Sequence, residues 1–120
     1  MASSHSFPKS LRLLNAHDYS RVFSDVDLRV SSNHFLILSK PLDHHLPRLG
    51  IIVAKKHVKL AVNRNKVKRQ LRETFRKNQH SLPCIDLVVL AKRGAGDLDS
   101  RTIQKELDFL WRKLKQKAKS

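Results

Sequence analysis

Residues 61–77 read AVNRNKVKRQLRETFRK, and this stretch combines an apolar repeat and a basic repeat of the same period. The apolar residues recur every fourth position, at Val67, Leu71 and Phe75. The basic residues recur at the same interval on a neighbouring face, at Arg64, Lys68, Arg72 and Arg76. A spacing of four places residues along one side of a helix, so the stretch predicts an amphipathic helix with one buried side and one basic ridge.

The charge around this helix is almost entirely positive. Residues 55–77 contain ten Lys or Arg and one acid, Glu73, so the segment carries +9 of the chain's formal +15. Cations four residues apart on a helix repel each other, at a cost of about 0.2–0.5 kcal/mol per pair. A solvated surface is the usual explanation of charged helix residues, but a helix that tolerates this repulsion fits an external polyanion better. Charge alone does not distinguish DNA from RNA.

The composition predicts one small basic domain. At 120 residues and 13.9 kDa a single core is expected, and a pI near 10.7 favours nucleic acid, then an anionic membrane surface, as the partner. No apolar run approaches the roughly 20 residues of a spanning helix. The residues MASSHSFPKSLRLL lack a signal-peptide core, and the lone Cys84 cannot form an internal disulfide, so a cytoplasmic location is expected.

Outside the basic helix, the patterning predicts two further helices and four strands. A first helix runs to about Ser24 from a cap at Asn15 or Asp18, and a last helix starts at a cap at Asp99 or Ser100. The predicted strands are Leu28 to Ser31, His34 to Lys40, Arg48 to Ala54 and Cys84 to Lys92. Residues 1–6 and 115–120 are expected to be loose. The order α-β-β-β-α-β-α predicts a single-domain α+β sandwich of one sheet with packed helices.

Signals of catalysis by the protein's own side chains are poor. The chain has ten acids, and the closely spaced pairs Asp25/Asp27 and Asp97/Asp99 fall in turn-like segments, so no two-metal carboxylate site is predicted. One Cys and scattered His match no zinc site, and the three Gly form no phosphate-binding loop. Tyr19 and Phe23 share one face of the first helix, where core packing is favoured over base stacking on a single strand.

Several motifs together resemble the protein component of bacterial ribonuclease P. That family has an A-K-K segment and then a helix with the core R-N-R-x-K-R-x-x-R-E, which here is Ala54-Lys55-Lys56 followed by residues 64–73, RNKVKRQLRE. Other matching segments are Arg12-Leu13 with Asp18-Tyr19 and Val22-Phe23, the strand from Asp86 to Arg93, and Leu110-Trp111-Arg112. The resemblance covers about residues 7 to 114, and its central motif is highly specific.

The resemblance implies an accessory subunit in an RNA–protein endonuclease that removes 5′ leaders from precursor tRNA. Catalysis and its Mg²⁺ ions would belong to the catalytic RNA, and the protein alone would bind no cofactor. The implied contacts to the catalytic RNA are Lys55, Lys56, Arg64, Asn65, Lys66, Lys68, Arg69, Arg72 and Arg76. The implied contacts to the single-stranded leader, in a cleft between the first helix and the sheet, are Arg12, Tyr19 and Phe23. The resemblance implies a sandwich fold with a left-handed β-α-β crossover, as in the second domain of a small-subunit ribosomal protein. A left-handed crossover is an exception to the rule that such connections are right-handed.

The chain departs from the family pattern in three places. Lys66 replaces the second Arg of R-N-R, which keeps the charge and loses the bidentate fork. The loop before the helix, residues 57–60, is more basic than in members with Gly there, and Leu38 stands where some members have an aromatic residue.

The alternative functions are a ribosomal or RNA-chaperone protein without coupled chemistry, and a stand-alone endonuclease, which the missing carboxylate cluster disfavours.

Overall fold

One four-stranded sheet and three helices form the part of the chain that the computed structural model describes, residues 16–24, 26–41, 48–82 and 85–119. The elements are α1 (Ala16–Ser24), β1 (Leu28–Ser31), β2 (Phe35–Pro41), β3 (Arg48–Ile52), α2 (Ala61–Asn78), β4 (Ile85–Ala91) and α3 (Ser100–Lys119). Short 3₁₀ turns occupy Gln79–Ser81 and Ala95–Asp97. The predicted order of elements and the α+β fold class are confirmed. Among the described helices, none is long and apolar enough to cross a membrane.

The sheet has the strand order β1-β2-β4-β3. β2 is antiparallel to both β1 and β4, whereas β3 is parallel to β4, with Ile51 opposite Val89. Parallel neighbours need a crossover connection, and α2 lies in that connection between β3 and β4. The left-handedness of this crossover stays a prediction from the family resemblance.

The main core lies between one face of the sheet and the helices α2 and α3. The sheet contributes alternate residues such as Phe35, Ile37, Leu87 and Val89. The predicted apolar stripe of α2 is confirmed, because Val67, Leu71 and Phe75 are all fully buried. α3 adds Ile103, Leu107, Leu110, Trp111 and Leu114. The indole Nε1 of Trp111 donates to Thr74 Oγ1 at 3.1 Å, so the buried polar atom of the largest core side chain is satisfied.

The opposite face of the sheet is covered only in part. α1 places Val22 on Leu38 and Val88, and Tyr19 packs at the margin of this smaller cluster. Leu36, Ile52 and Leu90 lie on the same face and are only half-buried. A sheet with both faces apolar needs a second layer, and α1 is too short to supply all of it.

An ion pair joins β3 to β4 at the end of the sheet. Arg48 donates from Nε to Oδ1 of Asp86 at 2.8 Å and from Nη2 to Oδ2 at 2.6 Å. The side chain of Asp86 is 1% exposed and that of Arg48 is 20% exposed. The carboxylate is therefore buried and depends on its bidentate partner.

The element boundaries differ from the prediction where tertiary contacts intervene. β3 ends at Ile52 rather than Ala54, because the Ala54 carbonyl accepts the N–H groups of His57 and Val58 and turns the chain. Asp99 caps α3, with Oδ1 accepting the Thr102 N–H at 2.7 Å, and its hydrogen bonds to Thr102 lower the pKa of Asp99. α1 starts at Ala16, so Asp18 lies inside it; Asn15 and residues 1–6 lie outside the described residues.

Residues 115–119, predicted as a loose tail, continue α3 to Lys119. Two of their side chains contact the body of the domain. Lys115 Nζ donates to Asn78 Oδ1 at 3.0 Å, and Lys117 Nζ donates to the Arg29 carbonyl at 2.9 Å. The sequence shows only Lys alternating with uncharged residues there, and it gives no sign of these contacts because the acceptors come from distant parts of the chain.

A polar cluster ties α3 to the turn between β1 and β2. The carboxylate of Glu106 accepts the Ser32 hydroxyl, the His34 N–H at 2.8 Å and a hydrogen bond with His34 Nδ1 at 2.9 Å. Burial raises the pKa of Glu106, but these hydrogen bonds outweigh it and hold the pKa below its ordinary value of 4.5. Their stabilisation is therefore present above pH 4.5 and is lost as pH falls through the lower folded-state pKa.

We expect Glu106→Gln to lower the free energy of unfolding by about 1–2 kcal/mol at pH 7, because hydrogen bonds to a charged acceptor are the stronger ones. As the pH falls through the lowered folded-state pKa of Glu106, its carboxylate becomes a neutral acceptor like the amide of the variant, so the difference in stability should shrink. Urea denaturation of both proteins over a series of decreasing pH values measures this difference. A difference that stays constant as the pH falls would show that the charge of the carboxylate does not stabilise the fold.

Candidate nucleic-acid interface

α2 presents its cations on the side opposite the core. Asn65, Arg69 and Arg72 are exposed, while the buried residues are Val67, Gln70, Leu71, Thr74 and Phe75. The i, i+4 ridge predicted from the sequence does not run straight along this face, because four residues advance a helix by more than one turn. Arg64 and Lys68 are consequently half-buried, and Lys66 is half-buried on the other flank. Arg76 lies on the exposed face with Asn65 and Arg69, and it is half-buried beside Glu73, with which it pairs.

Three predicted RNA-binding cations have hydrogen bonds inside the protein. Arg64 Nη1 donates to the carbonyls of Val58, at 3.1 Å, and Lys59, at 2.8 Å. Lys66 Nζ donates to the Gly96 carbonyl at 3.1 Å. Arg76 Nη2 pairs with Glu73 at 3.0 Å. Arg69 and Arg72 make no such contact within the described residues and are the cations best placed for an external anion.

A cavity of about 370 Å³ lies at the start of α2. Its walls come from the loop before the helix, the first turn of the helix and the turn after β4, and its lining residues are Lys56, His57, Val58, Lys59, Leu60, Asn63, Arg93, Gly94, Gly96 and Asp97. The walls meet at Gly96, where a Cβ atom would lie 2.6 Å from Val58 Cγ1 and 3.2 Å from Asn63 Cβ. Only glycine permits this approach without a shift of the neighbours. We refer to this space as the α2 cavity.

A second cavity, of about 390 Å³, lies on the face of the sheet that α1 covers in part. Its floor is apolar, with Leu36, Ile52, Ala54, Leu90 and Ala91, and its rim carries Lys56, His57 and Lys92. A flat apolar floor with cations at its edge suits a single strand, whose bases stack while its phosphates meet the charges. We refer to this space as the sheet cavity.

The predicted leader-binding residues divide into three cases. Phe23 is 43% exposed on α1, which leaves its ring available for a ligand. Tyr19 is half-buried, and its hydroxyl oxygen accepts the Ile51 N–H of the edge strand β3 at 3.1 Å, so it has a structural role as well. Arg12 lies outside the described residues.

The two predicted surfaces lie on opposite sides of the sheet. α2 packs through the main core on one face, and α1 packs through the smaller cluster on the other. Lys55 and Lys56 are exposed in the turn that follows β3. Lys56 and His57 line both cavities, so this turn forms a wall common to the two surfaces.

The sequence interpretation missed several lining residues. None of these residues was predicted to be a binding residue, although Lys92 and Arg93 end one of the matching segments. They are Lys59, Asn63 and Arg93 in the α2 cavity, Lys92 in the sheet cavity, and His57 in both. The excess of basic residues in the loop at 57–60 and the basic turn starting at Arg93 were the available signals. Across the described residues, no group of three or more His, Cys, Asp or Glu is placed to hold a metal ion.

Comparison with known proteins gives a consistent result. The family model described as Ribonuclease P matches residues 7–115. The ribonuclease P protein component of Marinobacter nauticus is 48% identical over 112 residues, covering 93% of this chain and 84% of that protein. The corresponding protein of Aliivibrio fischeri is 47% identical over 110 residues, covering 92% of this chain and 93% of that protein.

Solved structures agree with these relatives. The RNase P protein of Staphylococcus aureus superposes with a TM-score of 0.75 at 32% identity, covering 84% of this chain and 92% of that chain. The RNase P protein of Thermotoga maritima gives a TM-score of 0.74 at 29% identity, covering 85% of this chain and 96% of that chain.

Proposed function

Because the chain belongs to the family of ribonuclease P protein components, we propose that α2 binds the catalytic RNA and that the sheet cavity with Phe23 binds the 5′ leader of precursor tRNA. Members of this family are the protein subunit of the ribonucleoprotein endonuclease that matures tRNA 5′ ends. The catalytic role is carried by the RNA, and the protein is the accessory subunit.

The observation that carries the proposal is the placement of two different surfaces on opposite faces of one sheet. The α2 surface has exposed Arg69 and Arg72 and no aromatic ring, which suits phosphate contacts. The sheet cavity has an apolar floor and a cationic rim, which suits an unpaired strand. One sheet can then hold the catalytic RNA on one side and the leader on the other, with the turn at Lys56 where they approach.

The composition of the chain supports two further proposals, one about metal ions and one about location. A surface of net positive charge repels divalent cations, which supports the proposal that the Mg²⁺ ions of the holoenzyme are bound by the RNA. It also screens the repulsion between two RNA molecules that must come close. A single Cys supports the further proposal that the protein acts in the cytoplasm.

Reconstitution tests the proposed function. Precursor tRNA is incubated at physiological salt and limiting Mg²⁺ with the protein alone, with the catalytic RNA alone and with both. We expect leader removal to be fastest with both components and absent with the protein alone. Cleavage by the protein alone would support a stand-alone endonuclease, and a lack of stimulation would support an RNA-binding protein without coupled chemistry.

We expect Phe23→Ala to weaken holoenzyme binding to precursor tRNA about 5- to 100-fold, the range for one lost base–aromatic stack. Binding of mature tRNA, which has no leader, should not change. Tyr19→Phe is the matched control, since it keeps the ring and removes only the acceptor of the Ile51 N–H. The control should cost about 1 kcal/mol of stability and leave leader affinity intact. A similar loss for mature and precursor tRNA would contradict a leader contact at Phe23.

A further inference from the structure

The α2 cavity has an apolar rim that phosphate binding does not require. Leu60, which lines it, is 62% exposed, and its neighbour Val62 is 69% exposed. Among large apolar side chains of the described residues, these two are the most exposed. Exposed apolar side chains within a strongly basic surface gain nothing from a phosphate group. They would gain from the apolar face of a nucleobase.

The polar lining of the cavity is mixed in a way that suits a whole nucleotide. Three cations, Lys56, Lys59 and Arg93, face one acid, Asp97, which leaves a net formal charge of +2. None of the three cations has an ion-pair partner within the described part of the chain. Asp97 repels a phosphate and accepts hydrogen bonds from base N–H groups, while the cations attract a phosphate.

Asn63 adds a group that reads base edges. It lines the cavity and is half-exposed, and its side-chain amide makes no hydrogen bond to any other described residue. A side-chain amide offers one acceptor and a donor group side by side, which is the pairing that base edges present. A phosphate only accepts hydrogen bonds, so it would use the donor group of this amide and leave the acceptor oxygen without a partner.

Internal hydrogen bonds hold the cavity walls in place before any ligand arrives. Arg64 binds the carbonyls of Val58 and Lys59, and Lys66 binds the carbonyl of Gly96. A preformed site avoids part of the ordering cost of binding. The volume of about 370 Å³ is in the range of small-ligand sites.

We infer that the α2 cavity binds one unpaired nucleotide of the catalytic RNA. Its base lies against Leu60, between Asn63 and Asp97, and its phosphate lies at Lys59 and Arg93. This inference rests on the proposed function and deepens it, because it adds recognition of an unstacked base to the phosphate contacts of α2. Specific RNA recognition commonly uses such extruded bases.

The first test is Leu60→Ala, with affinity for the catalytic RNA measured over a range of salt concentrations. We expect about a tenfold loss of affinity with an unchanged salt slope, since no charge is removed. Phe109→Ala is the matched control, because Phe109 is 45% exposed on α3, away from the cavity lining, and it should leave affinity unchanged. Urea denaturation of both variants checks that the fold is intact.

The second test uses the four 5′-mononucleotides and inorganic phosphate as probes of the ¹⁵N-labelled protein. We expect at least one nucleotide to shift the amide signals of residues 58–60 and 94–97 at concentrations where phosphate does not, and Leu60→Ala to abolish these shifts. Equal responses to phosphate and to all nucleotides would overturn the inference.

The outcomes separate this inference from the proposed function. If exposed arginines of α2 prove essential but Leu60→Ala binds RNA as well as Phe109→Ala does, the proposed function stands and the nucleotide site is overturned. If Leu60→Ala weakens binding while loss of those arginines does not, the cavity is supported and the role of the α2 surface fails.

Discussion

An Arg48→Met variant is expected to lose about 3–5 kcal/mol of free energy of unfolding, the cost of breaking a buried ion pair by removing one partner. The side chain of Asp86 is 1% exposed, so its carboxylate cannot recover hydration when the guanidinium is gone. Methionine preserves the aliphatic contact of the arginine stem, which limits the change to charge and hydrogen bonding. Urea denaturation at pH 7 gives the measurement.

Two controls make the Arg48 result specific. Arg29→Met removes an exposed arginine of β1, at the opposite edge of the sheet, and should change stability by no more than about 0.5 kcal/mol. The double variant Arg48→Met/Asp86→Leu removes both charges and should recover most of the lost stability, because it leaves no buried charge without a partner. A double variant as unstable as the single one would mean that the ion pair is not the source of the effect.

An Arg69→Gln/Arg72→Gln variant is expected to bind the catalytic RNA at least about 100-fold more weakly at physiological salt. Each charge-assisted hydrogen bond contributes about 1.5–3 kcal/mol, and 1.4 kcal/mol is tenfold in affinity. Two lost phosphate contacts should also reduce the salt slope, log Kd against log salt concentration, by about 1.4–1.8. Both side chains are exposed, so stability should not fall, and relief of repulsion along the helix could raise it slightly.

The matched control for this variant is Arg101→Gln/Lys105→Gln. Both residues are exposed on α3, and the change in net charge is identical. It should lower affinity only through the weaker long-range field, with the salt slope nearly unchanged. Equal slopes for the two double variants would show that net charge alone, and no α2 contact, accounts for RNA binding.

The helices and most of the sheet were predictable because their patterns are local. The four-residue period of Val67, Leu71 and Phe75 predicted the buried side of α2, and all three are fully buried. The parallel pairing of β3 with β4 has no such local signature. It depends on how α2 returns the chain across the sheet, and only the family resemblance implied it.

The α2 surface was predicted in part. Exposure of Asn65, Arg69 and Arg72 follows from helical geometry, but the inward hydrogen bonds of Arg64 and Lys66 do not. Those bonds need the turn at Gly96, which comes 30 residues later in the chain than Lys66. The α2 cavity could not be predicted for the same reason, since its three walls meet only in the folded chain.

The turn shared by the two cavities has a thermodynamic consequence. A ligand in the α2 cavity that moves Lys56 or His57 also changes the sheet cavity, because both residues line both spaces. Linkage then requires reciprocity: any factor by which the catalytic RNA raises leader affinity is the factor by which the leader raises affinity for the catalytic RNA. Two binding measurements on one protein would therefore report a single coupling free energy, and the turn at Lys56 is where a substitution should change it.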